Sequence, residues 1–246
     1  MKTEMKTAFE LKQAVAQAAL AHLATYQNDV IGMGTGSTIN TLIEAIVQSG
    51  MRLAGAVPTS QVTADRLQAA GIPIYGLDAV DGLPAYFDGA DEINAGGYMI
   101  KGGGGALTRE KIVASHSRQF ICLVDESKQV TCLGKFPVPI EIIPVAQAVL
   151  APRLAAFRAS STSGHAPAKM NLVSLRRDLK NPTQPFVTEN GLWILDVTGW
   201  QIENPLEWEV ELSAWPGVVT AGIFAKQRAH LALVGTQAGV KVTSFH

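Results

Sequence analysis

Hydrophobic and polar positions change rhythm repeatedly along the chain. Residues 9–26 are rich in Ala, Leu and Gln, and their apolar positions recur at helical spacing, which predicts an amphipathic helix. A short apolar run follows, Val30, Ile31, Gly32, Met33, read as a strand that ends in glycines. Residues 37–48 return to the helical interval, with Ser37 or Thr38 as the cap. Further along, residues 53–57 predict a second strand, 61–70 a helix closed by Gly71, 72–76 a third strand and 85–87 a fourth. Residues 107–116 read as a helix, and 120–124 as a strand apolar throughout.

Strands that are apolar on both faces and alternate with helices predict an α/β fold: a mostly parallel sheet with helices on both faces, in a Rossmann-like arrangement. In such sheets ligands bind beyond the carboxyl ends of the strands. Gly34, Asp88 and Asp125 fall at those ends.

Near residue 137 the texture changes. Pro137, Pro139 and Pro144 punctuate the chain, residues 159–169 are small, polar and glycine-containing, and Asn190-Gly191 separates two β-rich runs. These features predict a mobile loop and a hairpin. The expected organisation is a larger α/β domain of residues 1–137 and 217–246, with a smaller α+β domain of residues 138–216 that carries oligomer contacts. The runs 218–224 and 231–235 are expected to return to the larger domain as its last strands. No internal repeat is evident.

Composition fits this picture. The 246 residues are 47% hydrophobic and 17% charged, enough to bury a sizeable core. A net charge of −1 gives no electrostatic footprint for nucleic acid, and no apolar run is long enough to span a membrane. Cys122 and Cys132 form no CxxC pair, and the N-terminus does not read as a signal peptide, so a reducing cytoplasm is expected. The five histidines show no metal-ligand spacing.

Three segments carry candidate chemistry. Gly34, Thr35, Gly36, Ser37 and Thr38 join a strand to a helix. Such a junction offers free amides, the positive end of the helix dipole and three hydroxyls to a phosphate. The alternative is a tight turn with hydroxyl caps. The segment lacks the Gly-Lys-Ser/Thr of a nucleotide P-loop, and Ser37 stands where a dinucleotide fingerprint needs glycine. Asp88 and Asp91 flank Gly89 and Ala90 at a strand end, where two carboxylates either converge on a ligand or cap a turn. Glu92 reads as a solvent-facing or structural acid. Lys101 precedes Gly102, Gly103, Gly104 and Gly105, whose backbone freedom lets a ligand approach the main chain. Their amides and the start of the following helix suit a developing oxyanion. Glu110 lies about one turn into that helix, as a base aimed at the glycines or as a surface acid paired with a neighbouring cation. Lys128, after the 120–124 strand, and Lys12, in the first helix, are further phosphate candidates.

Taken together, these blocks resemble type A ribose-5-phosphate isomerases. The resemblance rests on residues 34–38, on the acidic block 88–92, on the glycine block 101–111, on 125–128 and 133–137, and on 216–224, in family order over nearly the whole chain. It implies an aldose–ketose isomerase that interconverts ribose 5-phosphate and ribulose 5-phosphate with no metal or organic cofactor, and a dimer or tetramer. By position, Glu110 matches the family's base. Asp88, Asp91 and Lys101 match catalytic neighbours, and Thr35, Gly36, Ser37, Thr38, Asp88, Gly89, Ala90, Asp91, Lys101, Gly102, Gly103, Gly104 and Lys128 match substrate-binding segments. Two departures stand out: residues 160–184 are longer than the family's usual connection, and His230 replaces an expected aspartate near Arg228. The alternative is a non-catalytic sugar-phosphate sensor of related fold, which would carry a DNA-binding helix pair and could dispense with Glu110.

Overall fold

The computed structural model describes residues 5–157 and 171–245; the expected loop at 159–169 lies outside the described residues. The described chain divides into two compact units. One comprises residues 5–90, 109–129 and 227–245; the other 91–108, 130–157 and 171–226. The second therefore holds the expected small domain together with residues 91–108, 130–137 and 217–226.

A six-stranded sheet forms the first unit. Its order is Gly239–Ser244, Leu231–Thr236, Phe120–Asp125, Tyr86–Asp88, Val30–Met33, Gly55–Pro58. The five strands from Leu231–Thr236 onward run parallel, and Gly239–Ser244 returns antiparallel as the edge. Helix Ala8–Leu23 is held at its start by a capping box, with Thr7 accepting from the Glu10 amide and Glu10 from the Thr7 amide. It packs Val15, Ala19 and Leu23 into one core with Ile39, Leu42 and Ile46 of helix Ser37–Ser49 and with Ile31, Phe87 and Ile121 of the sheet. Every strand residue from Phe120 to Asp125 is buried, as a strand covered on both faces should be.

The expected strand at 72–76 is not one. Only Ile74 bridges, to Ala56, and Ile74 and Tyr75 are half-exposed. Pro73 has no N–H to continue a ladder, so the segment brushes the sheet edge and leaves it. His230, the departure noted above, accepts the Phe120 N–H at Nδ1 (3.0 Å). Burial, then the charge of Arg228, hold its pKa below the usual value, in keeping with that acceptor role.

In the second unit a four-stranded antiparallel sheet has the order Val218–Ala221, Val138–Ile142, Trp193–Thr198, Leu172–Leu175. A three-stranded sheet has the order Ile223–Phe224, Met99–Ile100, Glu92–Ile93. The run 218–224, expected as one strand of the larger domain, is divided between these two sheets. The break is Gly222, whose N–H donates to Pro139 O (2.7 Å) and whose carbonyl accepts from Lys101 N (2.9 Å). A Cβ there would lie 2.4 Å from the Lys101 carbonyl, so only glycine lets the chain cross at this point. The Asn190-Gly191 turn forms, with Gly191 at φ +75°, but residues 186–188 are no strand, and Trp193–Thr198 pairs with Leu172–Leu175. Thr188 closes the turn, its N–H donating to Leu192 O at 2.9 Å. Its hydroxyl turns inward to Glu141 Oε1 (2.6 Å).

Glu141 is fully buried in the middle of this sheet. It also accepts from Asn190 Nδ2 (3.2 Å) and from the Thr108 hydroxyl, and Thr108 in turn contacts Thr220 Oγ1 at 2.6 Å. Glu141→Met keeps the volume but orphans these donors. Each orphaned buried donor costs about 1–3 kcal/mol, so urea unfolding is expected to show a loss of at least about 2 kcal/mol. A variant as stable as wild type would mean the network contributes nothing.

Candidate active site

The carboxyl ends of the parallel strands form one edge of the first unit, and the predicted residues of that unit gather there. Strand Val30–Met33 leads into the turn 34–36, and helix Ser37–Ser49 starts directly after it. Neither Ser37 nor Thr38 caps this helix. The cap is Gly36 at φ +112°, a conformation glycine adopts freely, and it brings no side chain to the first-turn amides. Gly36 and Ser37 are exposed, and Lys12 Nζ donates to Ser37 Oγ at 2.8 Å. An uncapped helix start with a serine hydroxyl and a lysine beside it is fitted to an anion. Thr35 serves differently. Its hydroxyl is turned to Thr59 Oγ1 and Ser60 Oγ, both 2.8 Å away, which fixes the turn.

Strand Tyr86–Asp88 delivers the acid. Asp88 is fully buried, and its Oδ1 accepts from Gly89 N (2.7 Å) and Thr35 N (3.2 Å). Its Oδ2 accepts from the Tyr86 hydroxyl. Tyr86 and Asp88 share a strand face because they are two residues apart. The phenol pKa is raised well above its usual value, first by burial and then by the negative charges of Asp88 and Glu110. Tyr86 therefore stays protonated and donates. Glu110, in the first turn of helix Leu107–Ser115, is itself only 5% exposed, so the surface-acid reading does not hold. Gly89 lies over Thr38, whose Oγ1 would be 3.9 Å from a Cβ placed there. Lys128 occupies the turn after strand Phe120–Asp125, half-buried, with Asp125 capping that turn at Ser127.

Asp91, Lys101, Gly102, Gly103 and Gly104 belong to the second unit. Lys101 is buried (3% exposed), its Nζ 5.4 Å from the centre of the Phe224 ring. The glycines form a turn closed by Gly105 N–H on Gly102 O at 3.0 Å. Gly103 N–H donates to Asp91 Oδ2 (2.8 Å). The Gly105 amide, expected as an oxyanion donor, is thus committed to the turn, while Gly104 is exposed and its N–H has no partner among the described residues. Glu92 is a structural acid and not a solvent-facing one, taking the amides of Gly134 (2.8 Å) and Phe136. Beside Gly103 and Gly104 opens a cavity of about 690 Å³, bordered by Phe136, Arg176, Phe186 and Asp196.

Sequence reasoning passed over Tyr86, Thr59, Ser60, Arg176 and Asp196. Tyr86 carried a usable signal, its two-residue offset from Asp88. The others come together only through tertiary pairing. Among the described residues no group of three or more His, Cys, Asp or Glu is placed to hold a metal ion, and no helix is long and apolar enough to cross a membrane.

A family model described as ribose 5-phosphate isomerase A (phosphoriboisomerase A) matches residues 55–239. Proteins named ribose-5-phosphate isomerase A from Polaromonas sp. and Albidiferax ferrireducens are 47% and 48% identical, over 96% of this chain and 93% and 94% of theirs. The crystal structure of ribose 5 phosphate isomerase A from Neisseria gonorrhoeae superposes with a TM-score of 0.87 at 40% identity, covering 99% of this chain and all of that one. A ribose-5-phosphate isomerase solved with phospho-erythronic acid gives 0.86 at 37% identity, covering 97% of this chain and all of that one. Motifs, fold and relatives agree along nearly the whole sequence, and the chain belongs to the ribose 5-phosphate isomerase A family.

Proposed function

We propose that this protein interconverts D-ribose 5-phosphate and D-ribulose 5-phosphate through an enediolate. One observation carries the reading beyond family membership. At the sheet edge two buried carboxylates, Asp88 and Glu110, act on the same phenol, and the adjoining strand leads into an uncapped helix start. That combination offers a proton relay and an anion anchor at one edge of one sheet.

Glu110 takes the proton from C2 of the open-chain aldose, and the electron pair moves through C1 onto O1. It returns the proton to C1 while the C2 hydroxyl gives up its own proton and becomes the ketone. Asp88 and Asp91 move the hydroxyl protons, ring opening of the furanose included. The oxygen that gains charge is stabilised by the Lys101 ammonium and by main-chain amides of the glycine turn, a contribution on the order of a hundredfold per good donor. The phosphate sits on the amides and hydroxyls of residues 36–38, with Lys12 and Lys128 as counter-charges. It supplies remote binding energy that holds the reacting carbons in place.

Turnover of ribose 5-phosphate, followed as ribulose 5-phosphate formation with a chelator present, tests the reading. Steady isomerisation is expected, and binding without turnover would favour the sensor. The anchor has its own test. Ser37→Ala with Thr38→Ala removes two hydroxyl donors to a charged group, worth about 1.5–3 kcal/mol each, so KM is expected to rise at least about tenfold. An unchanged KM would move the phosphate elsewhere.

The protein acts as a dimer or tetramer in the cytoplasm. Val145 and Val149, four residues apart, are 88% and 69% exposed and give a reason to self-associate, and Cys122 is a buried free thiol. Light scattering at assay concentration reporting a monomer would overturn the oligomer.

A further inference from the structure

The glycine turn has no stiffness of its own, and its amides have to be aimed by something outside it. Four consecutive glycines leave the backbone free to rotate every peptide plane. Within a plane, however, the carbonyl of one residue and the N–H of the next point in opposite directions. A group that grips the carbonyls therefore sets the direction of the amides.

Arg176 is that group. Its Nη1 donates to Gly102 O at 2.8 Å and to Gly103 O at 3.1 Å. Those two carbonyls belong to the planes that carry the N–H groups of Gly103 and Gly104. Gripping them from the Arg176 side turns the Gly103 N–H toward Asp91 and leaves the Gly104 N–H directed away from the guanidinium. The guanidinium is itself fixed. Nε meets Asp196 Oδ2 at 2.9 Å and Nη2 meets Oδ1 at 2.5 Å, a two-point pair whose side chains are 15% and 19% exposed. Asp196 sits on strand Trp193–Thr198, and the Arg176 amide donates to Ile194 O (2.8 Å), so sheet register fixes both ends of the pair. The Phe186 ring, 5.9 Å from the guanidinium carbon, closes over Gly105, where a Cβ would come within 2.6 Å of it.

We propose that Arg176, held by Asp196, is a positioning residue for isomerisation: by fixing the planes of the turn it ties the Gly103 amide to Asp91 and sets the direction of the Gly104 amide at the oxygen that gains charge. The inference rests on the isomerase reading given above. Lysine cannot take over, because one ammonium cannot hold a carboxylate at two points and reach two carbonyls at once.

Arg176→Met, Arg176→Lys and Asp196→Asn are compared with wild type on ribose 5-phosphate, with phospho-erythronic acid tested as an inhibitor because its planar carboxylate has the shape of the enediolate. Arg176→Met is expected to lower kcat about 10- to 100-fold, with KM changing less than about threefold, and to weaken the inhibitor by the same factor as kcat/KM. Arg176→Lys and Asp196→Asn should fall between it and wild type. A role confined to stability predicts otherwise: a lower melting temperature and active fraction, with the folded molecules keeping wild-type kcat and inhibitor affinity. That result overturns the inference, as does unchanged kcat in Arg176→Met. If Arg176→Met fails to fold, the other two variants give the same readouts. A wild-type protein that does not isomerise ribose 5-phosphate refutes the activity itself, and a competent wild type beside undisturbed variants refutes only the role of Arg176.

Discussion

Glu110→Gln is expected to lower kcat for ribose 5-phosphate by about 10²–10⁴-fold, the usual contribution of a positioned base. The amide has the shape of the carboxylate but cannot accept a proton from carbon. Glu110 is buried, yet close enough to Tyr86 for its charge to raise the phenol pKa. The amide keeps the size and shape of the side chain, so the variant is expected to stay folded. Sugar-phosphate binding should persist, since residues 36–38 and Lys12 are untouched. Two measurements check the role together. The first is kcat; the second is deuterium uptake from solvent into the pentose phosphate, which a shuttling carboxylate allows and the amide does not. Turnover near wild type would remove Glu110 from the mechanism.

Much of this site is legible in the sequence because its logic is local. A strand that ends in glycine and leads into a helix offers free amides to an anion, and residues 30–38 state that pattern within nine positions. The position of Asp88 is legible too, since a carboxylate at the end of a short apolar strand lands on the ligand edge of a parallel sheet, although the sequence leaves turn capping open as its role. What escapes notice is set by pairings distant in sequence. Arg176 reads as one of three basic residues in the polar stretch 176–184, and its partners are 20 and 74 residues away. Glu141 sits in an apolar strand like an error of patterning until Thr188, Asn190 and Thr108 arrive to satisfy it. Gly222 looks like an interruption in one strand, and it is the point where the chain changes sheets, a fact visible only once Pro139 and Lys101 are against it. The segment 72–76 has strand composition, and Pro73 is the one local sign that its ladder stops at a single bridge.

Gly34→Ala is expected to disable the enzyme without touching a functional group. A Cβ at this position would sit 2.0 Å from Asp88 Cγ, 2.1 Å from its Oδ1 and 2.5 Å from its Cβ, distances no packing tolerates. Something has to move. The Gly34 backbone is tied to the sheet through its N–H on Phe87 O (2.8 Å), and its carbonyl accepts from Thr63 Oγ1 (2.8 Å). The carboxylate must therefore leave its bonds to Tyr86, Thr35 and Gly89. Overpacking of this kind costs about 1–3 kcal/mol in stability. A catalytic carboxylate displaced by an ångström costs on the order of 10²-fold in turnover. Gly50→Ala separates the two effects. Gly50 closes the far end of the same helix at φ +69° with open space where a Cβ would go, so alanine there costs about 1–2 kcal/mol through strain alone. Equal loss of stability in the two variants, with turnover falling only in Gly34→Ala, would tie activity to the placement of Asp88. Wild-type turnover in Gly34→Ala would mean the reaction does not need this carboxylate where the fold holds it.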